Sequence, residues 1–125
     1  MGSTRTIRLF LLVEAASYMA AASVHFGIVT QGYEHRAAGT GESVIAVALV
    51  VGLALTWTGW VSVRALGLAA QGFALFVTLI GLFTIAIGVG PRTLPDLVYH
   101  LSIVGVLIVG LVAAARAGVG ALIRP

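Results

Sequence analysis

Residues 7–30 read IRLFLLVEAASYMAAASVHFGIVT, an apolar run that exceeds the ~20 residues a helix needs to cross a bilayer core yet carries an acid, a phenol and an imidazole. At about 100° per residue, Glu14, Tyr18 and His25 fall within roughly 40° of one another on one helical face. An ionisable group in hydrocarbon costs at least ~2.5–3.5 kcal/mol on insertion scales, and such groups turn toward a bundle interior and mark functional sites. The run therefore predicts a membrane-spanning helix whose polar stripe looks inward.

Composition agrees. Of 125 residues 60% are hydrophobic and 9% charged, and the mean hydropathy is +1.12, far from the average of soluble domains. All seven basic residues are arginine and the net charge is +3, but no basic cluster exists that would track a phosphate backbone, which excludes nucleic acid as a partner. The chain has no cysteine, so thiolate metal sites, disulfides and thiol redox chemistry are excluded. The length suits one domain.

Three further runs reach spanning length, which gives spans at approximately 7–30, 43–63, 65–90 and 97–115 and an all-α, four-helix antiparallel bundle in a lipid bilayer. Arg5 and Arg8 before an apolar run resemble a secretory leader, but Glu14 interrupts the apolar core and the apolar character runs on to Thr30, which predicts a retained first span. Arg5, Arg8, Arg64, Arg116 and Arg124 fall on one side of this topology and Arg36 and Arg92 on the other. The positive-inside rule then places both termini in the cytoplasm of a bacterial-type plasma membrane. Trp57 and Trp60 lie near one interface, Tyr33 and Tyr99 near the other.

The connections differ in kind. Residues 31–42, QGYEHRAAGTGE, read as a polar loop closed by Glu42 at the head of the second helix, where a carboxylate is favoured by the helix dipole. Arg64 reads as a very short turn. Gly88, Gly90 and Pro91 stop the third helix, and Thr93-Leu94-Pro95-Asp96 reads as an N-cap with a capping-box acid. Small-residue pairs at Ala16/Ala20, Ser17/Ala21, Ala65/Ala69 and Gly110/Ala114 permit close helix approach. The halves share a rhythm of arginine then polar residue (Glu14, Gln71) that either a duplication or any short-looped four-span chain produces.

By depth the polar residues form two layers. The inner layer is Glu14 and Tyr18 with Gln71. The outer layer is His25, Glu42, Asp96 and His100, with His25 about 16 Å along the helix from Glu14 at 1.5 Å per residue and Tyr18 between them as a relay. Glu14 reads either as a proton carrier or as an acid bonded to Gln71, Ser17 or a carbonyl that fixes register. Asp96 reads as a cap or as the acid that orients His100. Trp57 and Tyr99 read as ligand-pocket walls or interfacial anchors. His35 and Glu34 read as solvated loop residues.

These residues leave several functions open. Glu14, Tyr18, His25, Asp96 and His100 are the candidates for proton chemistry, and Glu14, Gln71, Glu42, Trp57 and Tyr99 for ligand binding. Together they suit a proton-linked transporter or solute-binding protein, working as a monomer or homodimer. The alternative is a membrane-embedded enzyme acting by acid–base chemistry on an isoprenoid, sterol or quinone. A haem or transition metal held by His25 and His100 is a further reading, and a structural subunit of a larger complex is another. Four spans with an acid in the first resemble the small multidrug resistance transporters in that feature. The third span lacks their aromatic-glycine signature, and the histidine layer is foreign to their plan.

Overall fold

The computed structural model describes residues 2–118, which form four helices: α1 (Gly2–His25), α2 (Arg36–Leu55), α3 (Val63–Ala86) and α4 (Leu94–Arg116). Each is long and apolar enough to cross a membrane. Arg124, counted in the charge asymmetry, lies outside the described residues.

The helix ends follow from local chemistry. α1 stops at His25 and not at Thr30 because Gly27 takes φ +70°, a left-handed conformation that glycine adopts without a Cβ penalty. Around it the Gly27 amide bonds the Val24 carbonyl and the Ile28 amide the Ser23 carbonyl, the paired bonds of a Schellman cap. Gly88, at φ +86°, ends α3 in the same way, as the sequence predicts. α4 opens on the capping box of Thr93 and Asp96 with proline in its first turn.

The second helix corrects the sequence reading. It begins at Arg36, because the His35 imidazole accepts the Ala38 amide at 3.2 Å and serves as N-cap. Most of the stretch read as a polar loop is therefore helix, and Glu42 sits two turns inside it instead of at its head. The connection to α3 is residues 56–62, and Arg64 lies within α3, so the turn expected at Arg64 is displaced toward Trp57 and Trp60.

α1 packs against all three other helices, whereas no Cα of α2 comes within 8 Å of α4. The shared core runs through Ile7, Leu11 and Tyr18 on α1, Leu49 on α2, Ala74 on α3 and Leu107 on α4. The closest approaches occur where glycine removes a side chain. A Cβ on Gly52 would lie 2.8 Å from Ala70 Cβ, and one on Gly67 would lie 2.6 Å from Ile7 Cγ2. Of the small pairs expected at interfaces only Gly110/Ala114 is buried; Ala16, Ala20, Ala65 and Ala69 are exposed. Leu12, Val47, Phe76, Phe83 and Val109 point outward, the side a bilayer would solvate.

Candidate functional site

The three polar residues of the first span do turn inward. Glu14 is 0% exposed, Tyr18 1% and His25 2%. They meet different partners, which separates the polar interior into two centres.

The first centre is built on His25, at the last residue of α1. Its Nδ1 lies 2.7 Å from Glu42 Oε2 on α2, and its Nε2 lies 2.9 Å from Asp96 Oδ1 on α4. One imidazole thus joins two helices whose Cα atoms stay more than 8 Å apart. The second oxygen of Asp96 bonds the Thr93 amide and hydroxyl, so the carboxylate is at once the expected helix cap and a partner of His25 in place of His100. Glu42 Oε1, also buried, has no hydrogen-bond partner. These are the only ion pairs among the described residues, so no arginine neutralises the carboxylates.

His100 stands apart from Asp96's carboxylate, contrary to the expected orienting role. Its Nδ1 lies 2.7 Å from the Asp96 backbone oxygen. A carbonyl only accepts, so Nδ1 carries the hydrogen, and in the neutral ring Nε2 presents a lone pair. That nitrogen lies 3.8 Å from where a Gly81 Cβ would be. Of the two histidines read as haem or metal ligands, His25 has both ring nitrogens engaged by carboxylates, whereas His100 is engaged through Nδ1 alone. Among the described residues no three His, Asp or Glu side chains are placed to share a metal ion.

Tyr18 and Tyr99 connect this centre to the core. Tyr18 Oη is 2.5 Å from Thr78 Oγ1, which itself donates to the Ala74 carbonyl, so the Tyr18 hydroxyl is the donor and its hydrogen is committed to Thr78. The Tyr99 ring packs edge-on to Tyr18 and to His100, and its buried hydroxyl has no partner. Tyr99 is therefore half-buried, with its hydroxyl end enclosed.

A cavity of about 230 Å³ opens beside these groups, walled by Tyr18, Glu42, Thr78 and His100 together with apolar Ile45, Val77 and Ile80. His35, read from sequence as a solvated loop residue, lines it too, and its Nε2 lies 3.3 Å from the Val89 carbonyl. The signal that could have found His35 was its place directly before the helical run Arg36-Ala37-Ala38. On the other flank a groove between α1 and α4 is lined by Ser17, Ala20 and Tyr33 with the buried His25 and Asp96 at its wall.

The second centre is Glu14 with Gln71, and it lines none of these cavities. Gln71 Nε2 donates to the Gly67 carbonyl at 2.9 Å, which fixes the amide with Oε1 turned the other way. A Cβ on Gly110 of α4 would overlap that Oε1 and lie 2.9 Å from Glu14 Oε1, so both oxygens converge on the space the glycine leaves. Neither oxygen of Glu14 nor Gln71 Oε1 has a partner. Because Gln71 Oε1 only accepts, it can bond Glu14 only when Glu14 carries a proton. Glu14 is thus remote from the cavity it was expected to serve, and the expected bonds to Ser17 or a carbonyl are not made: Ser17 donates to its own Val13 carbonyl.

Trp57 belongs to neither centre. It lies in the 56–62 connection, 63% exposed, with the Arg8 guanidinium 4.4 Å over its ring. Arg8 also donates to Thr56 Oγ1 at 2.9 Å and to the Thr56 carbonyl at 2.8 Å, closing the C-terminal end of α2. Trp57 lines none of the cavities between the helices described above. Comparison with protein-family models, with curated proteins and with solved structures gives no match.

Proposed function

We infer that the chain is an integral membrane protein, an antiparallel four-span bundle of one domain with both termini cytoplasmic, that binds a small ligand beside the His25 centre and moves it in a proton-linked manner. The observation that carries this reading is a single buried imidazole bonded on both nitrogens by carboxylates from two other helices, next to a cavity whose wall includes one of those carboxylate residues, Glu42. Buried charge is costly unless paired, and a purely structural role would be served equally well by apolar packing. A histidine between two acids can exchange protons with either. The exchange couples to whatever occupies the cavity because Glu42 belongs to both. The inner Glu14 pair, sealed from the cavity, serves as a register lock between α1, α3 and α4.

The enzyme alternative is favoured by one observation: His100, whose Nε2 keeps a lone pair, lines the same cavity as Glu42, whose carboxyl can carry a proton, a base and an acid side by side on one wall. Reconstitution separates the two. Proteoliposomes with a trapped pH dye are challenged with a panel of small solutes. A carried solute shifts the lumenal pH with the wild-type chain and fails to do so with His25→Asn. No lumenal pH response and no thermal stabilisation across the panel would overturn the transporter and binder reading together.

A further inference from the structure

We propose that the cavity between α2 and α3 is a site for a neutral, largely apolar small molecule carrying a single N–H or O–H donor, whose hydrogen His100 Nε2 accepts in place of a proton. The proposal rests on the proton-linked reading above and names its substrate class. It follows from a census of the wall, on which every side-chain donor is already committed. The Tyr18 hydroxyl donates to Thr78 and the Thr78 hydroxyl to the Ala74 carbonyl. The Thr84 hydroxyl donates to the Gly81 carbonyl at 2.7 Å. His35 accepts the Ala38 amide through Nδ1, so its ring hydrogen sits on Nε2, which faces the Val89 carbonyl. His100 gives its ring hydrogen to the Asp96 carbonyl. Glu42 is bonded to His25 through Oε2, and its Oε1 is sealed. A ketone, ether or ester would therefore find no side chain on this wall to donate to it.

What the wall leaves open is an acceptor. His100 is 7% exposed, and its Nε2 has no partner yet is not among the sealed polar atoms. Gly81 of α3 faces it: a Cβ there would lie 3.8 Å from Nε2, so the absent side chain gives a ligand atom room to reach the lone pair. A buried acceptor left unbonded is costly, and one donor satisfies it. A volume of about 230 Å³ with walls of Ile45, Val77 and Ile80 suits an apolar body around that donor. A proton competes for the same lone pair. The His25 group carries one net negative charge when each of its two contacts holds one hydrogen, and a proton on His100 offsets it. The titratable groups around the His100 ring are Tyr18 from α1, Glu42 from α2 with His25 bonded to it, Asp96 and Tyr99 from α4, and His35 before α2. α3 brings none, and no arginine among the described residues lines the cavity. When the donor binds the protonated ring, the Nε2–H bond breaks, the proton leaves to water, and the ligand's hydrogen takes its place. The lone pair holds ligand or proton but not both, which is the coupling that proton-linked handling requires.

Indole and benzofuran test this, because they match in shape and differ in an N–H donor against a ring oxygen. Each is titrated into the full chain in detergent micelles with ¹⁵N-labelled histidine, and the His100 Nε2 resonance reads binding independently of what dissolves in the micelle. The expected result is a saturable shift of that resonance with indole, an affinity for benzofuran about tenfold weaker or less, and a preference for indole that fades as acid puts a second hydrogen on the ring. Gly81→Ala, whose methyl would stand at ordinary contact distance from the ring, should cover the lone pair and remove the preference. Gly105→Ala, with nothing within 4 Å of its would-be Cβ, should keep it. The wild-type comparison carries the test on its own should Gly81→Ala not fold. Equal affinity for the two probes, indole binding that leaves Nε2 unmoved, or binding of neither overturns the donor site while leaving proton-linked handling of another ligand standing. Binding of neither together with a silent reconstitution panel overturns both.

Discussion

A methyl group placed at residue 110 should be felt across three helices. Gly110→Ala puts a Cβ into overlap with Gln71 Oε1, 2.9 Å from Glu14 Oε1 and 3.0 Å from Phe10 Cδ1. In an exposed helix the same change gains up to about 1 kcal/mol from backbone propensity, whereas overpacking a filled core costs about 1–3 kcal/mol. The second effect should win here. Gln71 is fully buried and anchored through Nε2 to the Gly67 carbonyl, so its amide cannot swing away without breaking that bond. A net loss of about 1–2 kcal/mol follows from the two magnitudes. Gly105, on the same helix with nothing within 4 Å of its would-be Cβ, is the internal control and should lie between neutral and about 1 kcal/mol more stable. Equilibrium unfolding in mixed micelles, followed by tryptophan fluorescence and helical circular dichroism, measures both. The double variant Gly110→Ala/Gln71→Ala should recover part of the loss, with a coupling energy of about 1–2 kcal/mol. Indistinguishable behaviour of the two alanine variants, or strictly additive effects in the double variant, would refute the packing described around Glu14.

Further outcomes follow from the same contacts. His25→Phe leaves two buried carboxylates without their partner and should cost about 3–5 kcal/mol at neutral pH, with part of the loss restored in acid, where protons neutralise both acids; unfolding curves at two pH values check this. Tyr18→Phe removes the bond to Thr78 and should cost about 1 kcal/mol, with the Thr78 bond to Ala74 retained, as read in the same unfolding assay. Arg8→Lys keeps the charge but loses the planar fork that serves Thr56 twice and stacks on Trp57, so it should destabilise by about 1–2 kcal/mol and shift the Trp57 emission, whereas a surface change such as Arg36→Lys should do neither.

Periodicity made the inward face of α1 legible, because Glu14, Tyr18 and His25 repeat at helical spacing and a bilayer gives such groups nowhere else to go. The caps at Gly88 and Thr93 were legible for a similar reason: they depend on residues only a few positions apart. Which carboxylate His25 would meet was not. Glu42 and Asp96 reach it because α2 begins a full two turns earlier than its hydropathy suggests, a start set by one imidazole cap at His35, and that shift moves Glu42 from a helix end into the interior. The isolation of Glu14 was equally hidden, since it depends on the rotation of Gln71 against the Gly67 carbonyl and on the notch at Gly110. Depth along the helices grouped Glu14 with Tyr18, but packing put Tyr18 with the outer histidines.

The claim on which the functional account stands is that His25 is bonded simultaneously to Glu42 and Asp96, and solid-state NMR dipolar recoupling between ring-¹⁵N histidine and carboxyl-¹³C glutamate and aspartate measures it in lipid. The account predicts that one ring nitrogen of His25 is dephased by a glutamate carboxyl carbon and the other by an aspartate carboxyl carbon, each at hydrogen-bonding range, with the first effect lost in Glu42→Ala and the second in Asp96→Ala. A His25 ring with either nitrogen lacking a carboxyl neighbour in the wild-type chain would contradict it.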